Sequence, residues 1–427
     1  MARKMKDSGI EWIGEIPEGW TKNKVIRLFD IIGSGTTPKN ITSDFPTVNW
    51  IQSGDITGSF MSTCKNVISA NFLSQYSTLK VYVAPFIIIA MYGASVGNVS
   101  ISLIDGCVNQ ACCVLSSPLC NLHYAFYAIK SAQNYLIRKA VGGGQPNISQ
   151  DTIKQLWLPS PLLSEQESIV HYLDVTCSKI DSITNSARSS IEEYKKLKQA
   201  VITQAVTKGI RGKREIKDSG VEWIGEIPEE WNKCKLKNIS IDIGDGLHGT
   251  PKFDDSGEVY FINGNNFSGE YVEPKFDTKK LCLEELLNYP KPELTEQTIM
   301  ISLNGSYGKV CLYRYFPMLL GKSAGYITLL PSINRRYVRY YLSSTPAQII
   351  MTLSLNGTTI PNLSLNTLYN FPTILPSASE QTEIANYLDA KCAEIDNLIA
   401  KKEQLVKELE SYKKSLIYEV VTGKREV

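Results

Sequence analysis

The residue types that most often carry out chemistry occur in this sequence without the spacing that such chemistry requires. The three histidines, His123, His171 and His248, share no motif, and the ten cysteines form no CxxC pair. Zinc sites use such pairs, or cysteine and histidine at fixed intervals, so no metal site is predicted. The sequence also lacks a GxxxxGK(S/T) phosphate loop, an HExxH motif and the (D/N)PP(Y/F) motif of amino-methyltransferases. We therefore predict that this chain has no catalytic residue and binds no metal.

Composition places the chain among globular proteins. Hydrophobic residues make up 43% of the 427 residues and charged residues 21%. The longest uncharged apolar run, residues 81–89, contains Pro85 and is shorter than the roughly 20 residues that a membrane helix needs. No apolar stretch follows the basic start of the chain. We therefore expect no secretory signal, no membrane contact, a cytoplasmic location and reduced cysteines in the core.

Positive charge is unevenly distributed along the sequence. The net charge is only +2, but residues 20–160 carry ten Lys and Arg against five Asp and Glu, and residues 231–375 carry 14 against 12. Such an excess is expected where a protein approaches a polyanion. Because the excess is small, it supports a nucleic-acid partner without establishing one.

The chain is built around one segment that occurs twice. Residues 6–20 read KDSGIEWIGEIPEGW and residues 217–231 read KDSGVEWIGEIPEEW. The end of the chain, GKREV, also resembles the GKREI that precedes the second copy. The chain is therefore predicted to be a tandem of two similar halves with a pseudo-two-fold axis, and its sequence is close to circularly symmetric.

Each half contains a stretch with the pattern of one long amphipathic helix. Ser164 and Glu167 form a capping box at the start of the first helix. Apolar residues follow at steps of three and four, at Leu173, Cys177, Ile180, Ile183, Ala187, Ile191, Tyr194, Leu197, Val201 and Ala205. The second stripe comprises Ile384, Leu388, Cys392, Ile395, Leu398, Leu405, Leu409, Tyr412, Leu416 and Val420. Two such helices must bury their apolar stripes, so we predict that they form an antiparallel pair, each about 65 Å long. The predicted helix–helix contacts include Leu173, Cys177, Ile180, Leu388, Cys392 and Ile395.

The remaining sequence predicts two globular domains of mixed α/β type. Short β-type runs such as residues 47–52, 98–103 and 111–115 lie between Gly, Pro, Asn and Ser, and residues 124–141 carry a helical pattern. The fold class is therefore α+β, with two similar mixed α/β domains separated by a coiled-coil spacer. The predicted segments are a first repeated segment (1–20), a first domain (21–161), a first spacer helix (162–215), a second repeated segment (216–231), a second domain (232–376) and a second spacer helix (377–427).

The two globular domains share a framework but differ in surface residues. GSGTTPK (33–39) corresponds to HGTPK (248–252), WIQSGDI (50–56) to FINGNNF (261–267), and GQPNIS (144–149) to TIPNLS (359–364). Nearly identical connecting segments and divergent domains indicate a common partner for the former and separate targets for the latter. Simple sequence drift of the domains is an alternative explanation. Glycines such as Gly93 and Gly97 are interpreted as turn residues or as close approaches to a phosphate backbone.

The whole pattern resembles the specificity (S) subunit of type I restriction-modification systems. The similarity lies in the two EWIGEIP segments, two helices that begin SEQxxIxxYLD, and the sequences PNIS and PNLS near the domain ends. It implies a non-catalytic subunit with two target-recognition domains, each reading one half of a bipartite site in double-stranded DNA, and helices that set the spacer. It also implies two methyltransferase (M) subunits, which bind S-adenosylmethionine while this chain binds no cofactor, and possibly restriction (R) subunits that join through them.

Under this resemblance, polar loop residues of each domain are candidates for DNA contact. Amide side chains can distinguish base edges in the major groove, and lysines can bind phosphates. The candidates are Lys39, Gln52, Ser53, Lys65, Ser95, Asn98 and Gln145 in the first domain, and Lys252, Asn263, Asn265, Asn304, Lys309 and Thr358 in the second. For each of them a solvated loop or turn is the alternative. Arg335, Arg336 and Arg339 have helical spacing and could flank DNA or line a solvated face.

The repeated segments are the candidates for contact with M subunits. The residues concerned are Trp12, Ile13, Ile16, Pro17, Trp223, Ile224, Ile227 and Pro228. Packing against the neighbouring helix ends is the alternative for all eight.

Two other classes of function remain open at this stage. An enzyme that fuses specificity with methyl transfer or cleavage would bind S-adenosylmethionine by itself, but the motifs it needs are missing. A coiled-coil scaffold with two protein-binding domains would bind duplex DNA without the steep salt dependence that phosphate contacts impose.

Overall fold

The computed structural model describes residues 3–142, 146–355 and 361–427. Predicted DNA contacts Gln145 and Thr358 lie outside these residues. The chain divides into two compact units, Met1–Ala187 with Gln404–Val427, and Arg188–Glu403. Each unit contains one globular domain, one repeated segment and part of each long helix, a grouping that the six predicted segments did not anticipate.

The first unit contains twelve strands in its described residues. They are β1 (Met5–Asp7), β2 (Glu15–Pro17), β3 (Thr21–Lys24), β4 (Ile31–Ser34), β5 (Thr47–Ile51), β6 (Phe60–Met61), β7 (Asn66–Ser69), β8 (Phe86–Ala90), β9 (Val99–Ser102), β10 (Cys107–Val108), β11 (Cys112–Ser116) and β12 (Trp157–Ser160). The main sheet has the order β4-β11-β8-β9-β6, and a second sheet has the order β10-β5-β7. The five residues of β8, FIIIA, are all buried, because this central strand is covered on both faces.

The second unit repeats this plan with strands of different length. They are β13 (Ile216–Asp218), β14 (Glu226–Pro228), β15 (Asn232–Lys235), β16 (Ser240–Asp245), β17 (Val259–Ile262), β18 (Lys280–Leu281), β19 (Thr298–Ser302), β20 (Val310–Leu312), β21 (Met318–Leu320), β22 (Ala324–Leu329) and β23 (Pro372–Leu375). Its main sheet has the order β16-β22-β19-β20, and a smaller sheet the order β18-β17-β21. In both units the sheets cover one large apolar core shared with helices.

In the described ranges, nine short helices and two long ones accompany these strands. The short helices are α1 (Val25–Leu28), α2 (Phe72–Gln75), α3 (Leu122–Ser131), α4 (Gln133–Arg138), α5 (Gln150–Lys154), α7 (Leu283–Leu286), α8 (Arg335–Ser343), α9 (Thr345–Leu353) and α10 (Leu365–Tyr369). The long helices are α6 (Leu163–Lys208) and α11 (Ala378–Val421). Among the described residues, no helix combines the length and apolar character needed to cross a membrane.

Burial along the long helices follows a heptad pattern. All six residues predicted as helix–helix contacts are buried. On α6, however, burial runs through Cys177, Ile180, Thr184, Ala187 and Ile191 in alternating steps of three and four. Such a repeat of 3.5 residues is typical of a coiled-coil seam.

The predicted stripe is therefore wrong at positions that flank this seam. Ile183 is 50% exposed and Leu197 is 48% exposed, while Thr184 is only 6% exposed. On α11, Leu398 and Tyr412 are likewise exposed. The apolar stripe read from the sequence includes every apolar residue on one side of a helix. A single neighbouring helix buries only the narrower seam within that stripe.

An ion pair borders the seam in each unit. In the first unit, Lys413 Nζ lies 2.6 Å from Asp181 Oδ1, and in the second, Lys198 Nζ lies 2.6 Å from Asp396 Oδ2. Asp181 and Asp396 occupy matching positions in the KIDSI and EIDNL sequences. In the first unit the N-terminal part of α6 packs against the C-terminal part of α11. In the second unit the C-terminal part of α6 packs against the N-terminal part of α11. The segments of the two long helices within each unit therefore run in opposite directions.

Candidate nucleic-acid interface

In the first unit, the ends of several strands meet at one edge of the sheets. β4 and β8 both end where β11 begins. β5 and β10 are parallel and end beside each other, where Asn109 N donates to Ile51 O at 3.2 Å. The loops that follow these strands form what we call the first loop edge, which comprises residues 33–39, 51–53, 91–98, 109–111 and 146–148.

The second unit has an equivalent edge. β16 and β19 end where β22 begins, and the parallel strands β17 and β21 end side by side. Leu303 N donates to Ser323 O at 3.0 Å, and Gly305 N donates to Pro361 O at 3.3 Å. The second loop edge comprises residues 246–252, 263–266, 303–309, 321–323 and 361–363, which include the counterparts of the first edge by strand order.

The loop edges bring together most of the predicted DNA-contacting residues that the structure describes. They are Gln52, Ser53, Ser95 and Asn98 on the first edge, and Asn263, Asn265, Asn304 and Lys309 on the second. Gln52 and Asn263 begin equivalent 3-10 turns, since Gln52 N donates to Asp55 Oδ2 at 2.9 Å and Asn263 N donates to Asn266 Oδ1 at 3.0 Å. Each turn therefore has a fixed backbone that presents its following residues at the edge.

Three predicted lysines lie at the margin of these edges. Lys39 N donates to the Tyr76 hydroxyl at 3.2 Å and Lys252 N donates to Glu285 Oε1 at 3.0 Å, which holds both loops beside the short helices α2 and α7. Lys65 is tied to the first edge through its backbone amide, which donates to Asp55 at 3.4 Å. All three side chains are exposed, a position that suits phosphate contact better than base contact.

Asn98 also takes part in the internal hydrogen bonding of its domain. Its Nδ2 donates to Ile56 O at 3.1 Å, and its Oδ1 accepts from Gln133 Nε2 at 2.8 Å. These two bonds fix the loop that precedes β9. They leave one N–H and one acceptor site of the amide for a further bond, so its contact with DNA stays a prediction.

The neighbouring residues 93–97 read GASVG and formally match the GxSxG pattern of hydrolase nucleophiles. That chemistry requires a sharp turn from a strand into a helix. Here the segment joins the antiparallel strands β8 and β9, with a 3-10 turn at Gly93–Ser95. The match therefore reflects a tight turn with positive φ at Gly93 and Gly97.

Sequence reasoning missed one position on each loop edge. Gln110 and Lys322 are exposed and precede β11 and β22 at equivalent points, in the sequences VNQAC and LGKSA. Neither lies in one of the longer motifs that the two domains share. The signal that could have found them is a polar residue two positions before a strand that begins with buried residues.

The three helical arginines contact their own unit. Arg336 pairs with Asp389, Arg339 lies 4.9 Å from the Tyr340 ring centre, and Arg335 donates to a backbone carbonyl. The two predicted alternatives, a DNA flank and a solvated face, do not describe these contacts. Of the three, Arg336 fixes α8 against α11 within the second unit.

The repeated segments pack into the chain's own core. Trp12, Ile13, Ile16, Pro17, Ile224, Ile227 and Pro228 are buried. This matches the alternative of packing against helix ends, and it removes these seven side chains from the surface that a partner could touch. Trp223 differs and is 45% exposed. The indole of Trp12 donates to Trp157 O at 3.2 Å, whereas the strand position equivalent to Trp157 in the second unit is Pro372.

A buried ion pair fixes the second repeated segment to the start of α11. Trp231 Nε1 donates to Glu380 Oε2 at 3.0 Å, and Arg214 Nη2 donates to Glu380 Oε1 at 2.6 Å. Glu380 is only 2% exposed and Trp231 is fully buried. The carboxylate is thus held in the core by two donors, as a buried charge requires.

The first repeated segment makes the same connection to α6. Trp20 Nε1 donates to Glu165 Oε2 at 2.8 Å, and Arg3 pairs with the same carboxylate. The side chain of Glu165 is 26% exposed, so this carboxylate is more accessible to solvent than that of Glu380. The duplicated tryptophan therefore serves the same structural role in both units.

Buried cysteine thiols of the first unit are held protonated rather than activated. Burial raises the pKa of Cys107 to about 11 and of Cys113 to about 12, so these thiols stay protonated and are poor nucleophiles. Burial also lowers the pKa of Lys130 to about 8, and Lys130 Nζ donates to Gly58 O. Within the described part of the chain, no group of three His, Cys, Asp or Glu residues is placed to hold a metal ion.

Comparison with known proteins points in one direction. The family model described as the type I restriction modification DNA specificity domain matches this chain twice, at residues 17–193 and 228–410. The specificity subunit of the type I restriction enzyme MjaVIII from Methanocaldococcus jannaschii is 28% identical over 310 residues, which cover 70% of this chain and 69% of that protein. The specificity subunit of EcoBI from Escherichia coli is 24% identical over 284 residues, covering 62% and 58%.

Solved structures show the same fold. A chain described in work on assembly and conformational transition of the type I R-M system has a TM-score of 0.75 at 16% identity, covering 96% of this chain and 99% of its own. The HsdS subunit from Thermoanaerobacter tengcongensis has a TM-score of 0.52 at 16% identity, covering 96% and 98%. At this level of identity the likeness concerns the fold alone.

Proposed function

The chain belongs to the type I restriction modification DNA specificity family, and we propose that it reads duplex DNA for a type I restriction-modification complex. Like other members, it is a non-catalytic specificity subunit. The observation that carries the proposal is the pair of equivalent loop edges, which have one backbone plan and different exposed side chains. Two such surfaces suit a site with two different halves, and each unit reads one half.

Base reading would come from the polar residues of the loop edges. Gln52 begins one of the two fixed 3-10 turns and Asn265 lies within the other, and amide side chains can pair with base edges in the major groove. Lys39, Lys65 and Lys252 at the margins would bind phosphates, which orients the protein without conveying sequence.

The long helices would set the spacer between the two half-sites. α6 has 46 residues and α11 has 44, so each is about 65 to 70 Å long at ~1.5 Å per residue. One turn of duplex DNA is about 34 Å. Helices of this length can relate two readers that are separated by one or two turns of DNA.

Two M subunits, and R subunits through them, would complete the complex. S-adenosylmethionine would bind to the M subunits, and the whole would act on chromosomal or incoming DNA in the cytoplasm. Of the repeated segments, Trp223 offers an exposed indole for such a contact, and tryptophan is common at the centres of protein interfaces.

The test is to map methylated sites after changing the helix length. Seven residues, one heptad, would be added to both long helices, between residues 183 and 194 of α6 and between 398 and 409 of α11. This insertion keeps the seam in phase. It adds about 10 Å to each helix, or roughly three base pairs.

The expected result is an unchanged pair of half-sites separated by a longer gap. A matched variant with the same heptad inserted into only one helix should lose methylation, because the seam residues no longer face each other. An unchanged gap would show that the helices do not determine the spacer. In a separate measurement, binding of duplex DNA that is insensitive to salt would contradict DNA reading and favour a protein-binding scaffold.

A further inference from the structure

One exposed side chain occupies the same central position on each loop edge. On the second edge it is Lys322, in the turn between β21 and β22. Gly321 N donates to Ile262 O and Ala324 N donates to Gly321 O, both at 2.8 Å. Gly321 is thus bonded to β17, the bond from Ala324 closes the turn, and the Lys322 side chain between them is exposed.

The residues next to Lys322 are already used by the fold. Ser323 Oγ accepts from Gly264 N at 3.0 Å and donates to Asn263 Oδ1 at 3.1 Å. A Cβ added at Gly321 would lie 2.3 Å from Asn263 Oδ1. The turn is therefore tightly packed against the neighbouring 3-10 turn and cannot present another side chain without moving its backbone.

Gln110 has the equivalent position on the first edge. Asn109 Oδ1 accepts from Ala111 N at 3.1 Å and from the Cys112 thiol at 3.2 Å, which closes the turn before β11. The side chain of Gln110 is exposed, and its Oε1 accepts a hydrogen bond from Thr37 Oγ. That bond fixes the plane of the amide, while an amide oxygen can accept a second bond and the NH2 group can donate.

We propose that Gln110 and Lys322 each determine one base pair in the half-site that their unit reads. This inference rests on the proposed DNA-reading function. A glutamine pairs with the N6 and N7 atoms of adenine, and a lysine pairs with the O6 and N7 atoms of guanine. Gln110 therefore selects adenine and Lys322 selects guanine. Thr37 is a positioning residue, since it orients the Gln110 amide without contacting the base.

The central position of these residues explains why they should read bases rather than phosphates. Each lies between two other loops of its edge, 33–39 and 51–53 in the first unit and 246–252 and 263–266 in the second. The margin is occupied by lysines such as Lys39 and Lys252. In a surface that enters a groove, the middle faces base edges while the margin faces the two backbones.

The experiment is selection of binding sites from a randomised duplex by the purified full chain. The wild type is compared with Gln110→Lys and Lys322→Gln, which exchange the two side chains. Q110K should change the preferred base from adenine to guanine at one base pair of one half-site. K322Q should make the reverse change in the other half-site. Each change should alter the preference at that base pair about tenfold or more.

Arg27→Gln and Lys237→Gln serve as matched controls for the loss of a positive charge. Both residues are exposed and precede β4 and β16, so they lie at the opposite ends of the strands that lead to the loop edges. They should leave both half-sites unchanged. Thr37→Val tests the positioning role and should weaken the preference at the same base pair as Q110K, without introducing a new base.

Three outcomes would overturn the assignment. Both half-sites could be unaffected by the exchange, or both changes could fall in one half-site. Alternatively, the affinity of a variant for all sequences could change by the same factor, which is the result expected if the side chain contacts phosphates. If the wild-type chain itself selects no motif, the proposed DNA-reading function fails as well. A wild-type motif with unchanged variants refutes only the roles of Gln110 and Lys322.

Discussion

Removing the arginine from each duplicated joint should have unequal effects on stability. Arg214→Met leaves Glu380 as a charged group that is 2% exposed and retains only the Trp231 donor. Loss of one partner from a buried pair costs about 3 to 5 kcal/mol, and we expect the lower value because Arg214 is itself partly solvated. Arg3→Met leaves Glu165, which is 26% exposed, so water replaces the lost donor and the cost is about 1 kcal/mol.

Hydrogen exchange of the full chain can measure both effects separately. Peptides covering the first turns of α11 should exchange on the order of 100-fold faster in R214M, whereas those covering the first turns of α6 should exchange only several-fold faster in R3M. Urea unfolding provides the global comparison. Each variant serves as the control for the other, because the two joints have the same hydrogen-bond plan.

A double variant separates lost charge balance from lost packing. In R214M/E380Q a neutral amide replaces the buried carboxylate, so part of the stability should return. Equal costs for R3M and R214M would refute the argument that burial of the carboxylate determines the penalty. Failure of E380Q to recover stability in the R214M background would show that the arginine acts through packing alone.

Three further results are expected from the structure. Leu173→Ala should cost about 2 to 5 kcal/mol by urea unfolding because Leu173 is fully buried in the seam, whereas Ile183→Ala should cost under about 0.5 kcal/mol; equal costs would contradict the heptad seam. Gly423→Ala should destabilise the chain by about 1 to 3 kcal/mol, since φ is +73° and an added Cβ would lie 2.4 Å from a proline ring, while Gly19→Ala, with open space around it, should be nearly neutral. The pKa of Lys130 is lowered to about 8 in the folded chain, so the unfolded chain binds more protons between about pH 8 and pH 10.5. The free energy of unfolding of the wild type, relative to that of Lys130→Met, should therefore rise with pH across that window by up to about 3 kcal/mol. A difference that does not vary with pH would show that Lys130 is not desolvated.

The structure changes the interpretation of the repeated segment. Identity between its two copies suggested a common partner, but seven of the eight predicted contact residues are buried inside the chain. Because each copy must connect a domain to a helix start through the same tryptophan and glutamate, intrachain packing alone is sufficient to keep the copies alike. Contact with M subunits stays a prediction, and Trp223 is the predicted residue with a large exposed surface.

The sequence by itself determined the tandem plan, the two long helices and the family. Long periodic stretches and repeated motifs are local signals, which is why α6 and α11 begin within two residues of the predicted boundaries. Strands β5 and β9 lie within the predicted runs for the same reason, and β11 passes the end of its run by one residue. Sequence also found loops such as the one at Gln52, because turn formers and polar residues interrupt the apolar runs.

Only the tertiary structure decided which side chains face outward at a given point. Thr184 rather than Ile183 lies in the seam because one neighbouring helix covers a narrow strip. Asn98 is fixed within its domain because Gln133, from a helix 35 residues away in the sequence, donates to its amide oxygen. Gln110 and Lys322 become candidates because sheet pairing, a long-range property, brings their turns to the centre of a loop edge. The exposure and contacts of these side chains depend on residues that are distant in the sequence, so local sequence patterns do not indicate them.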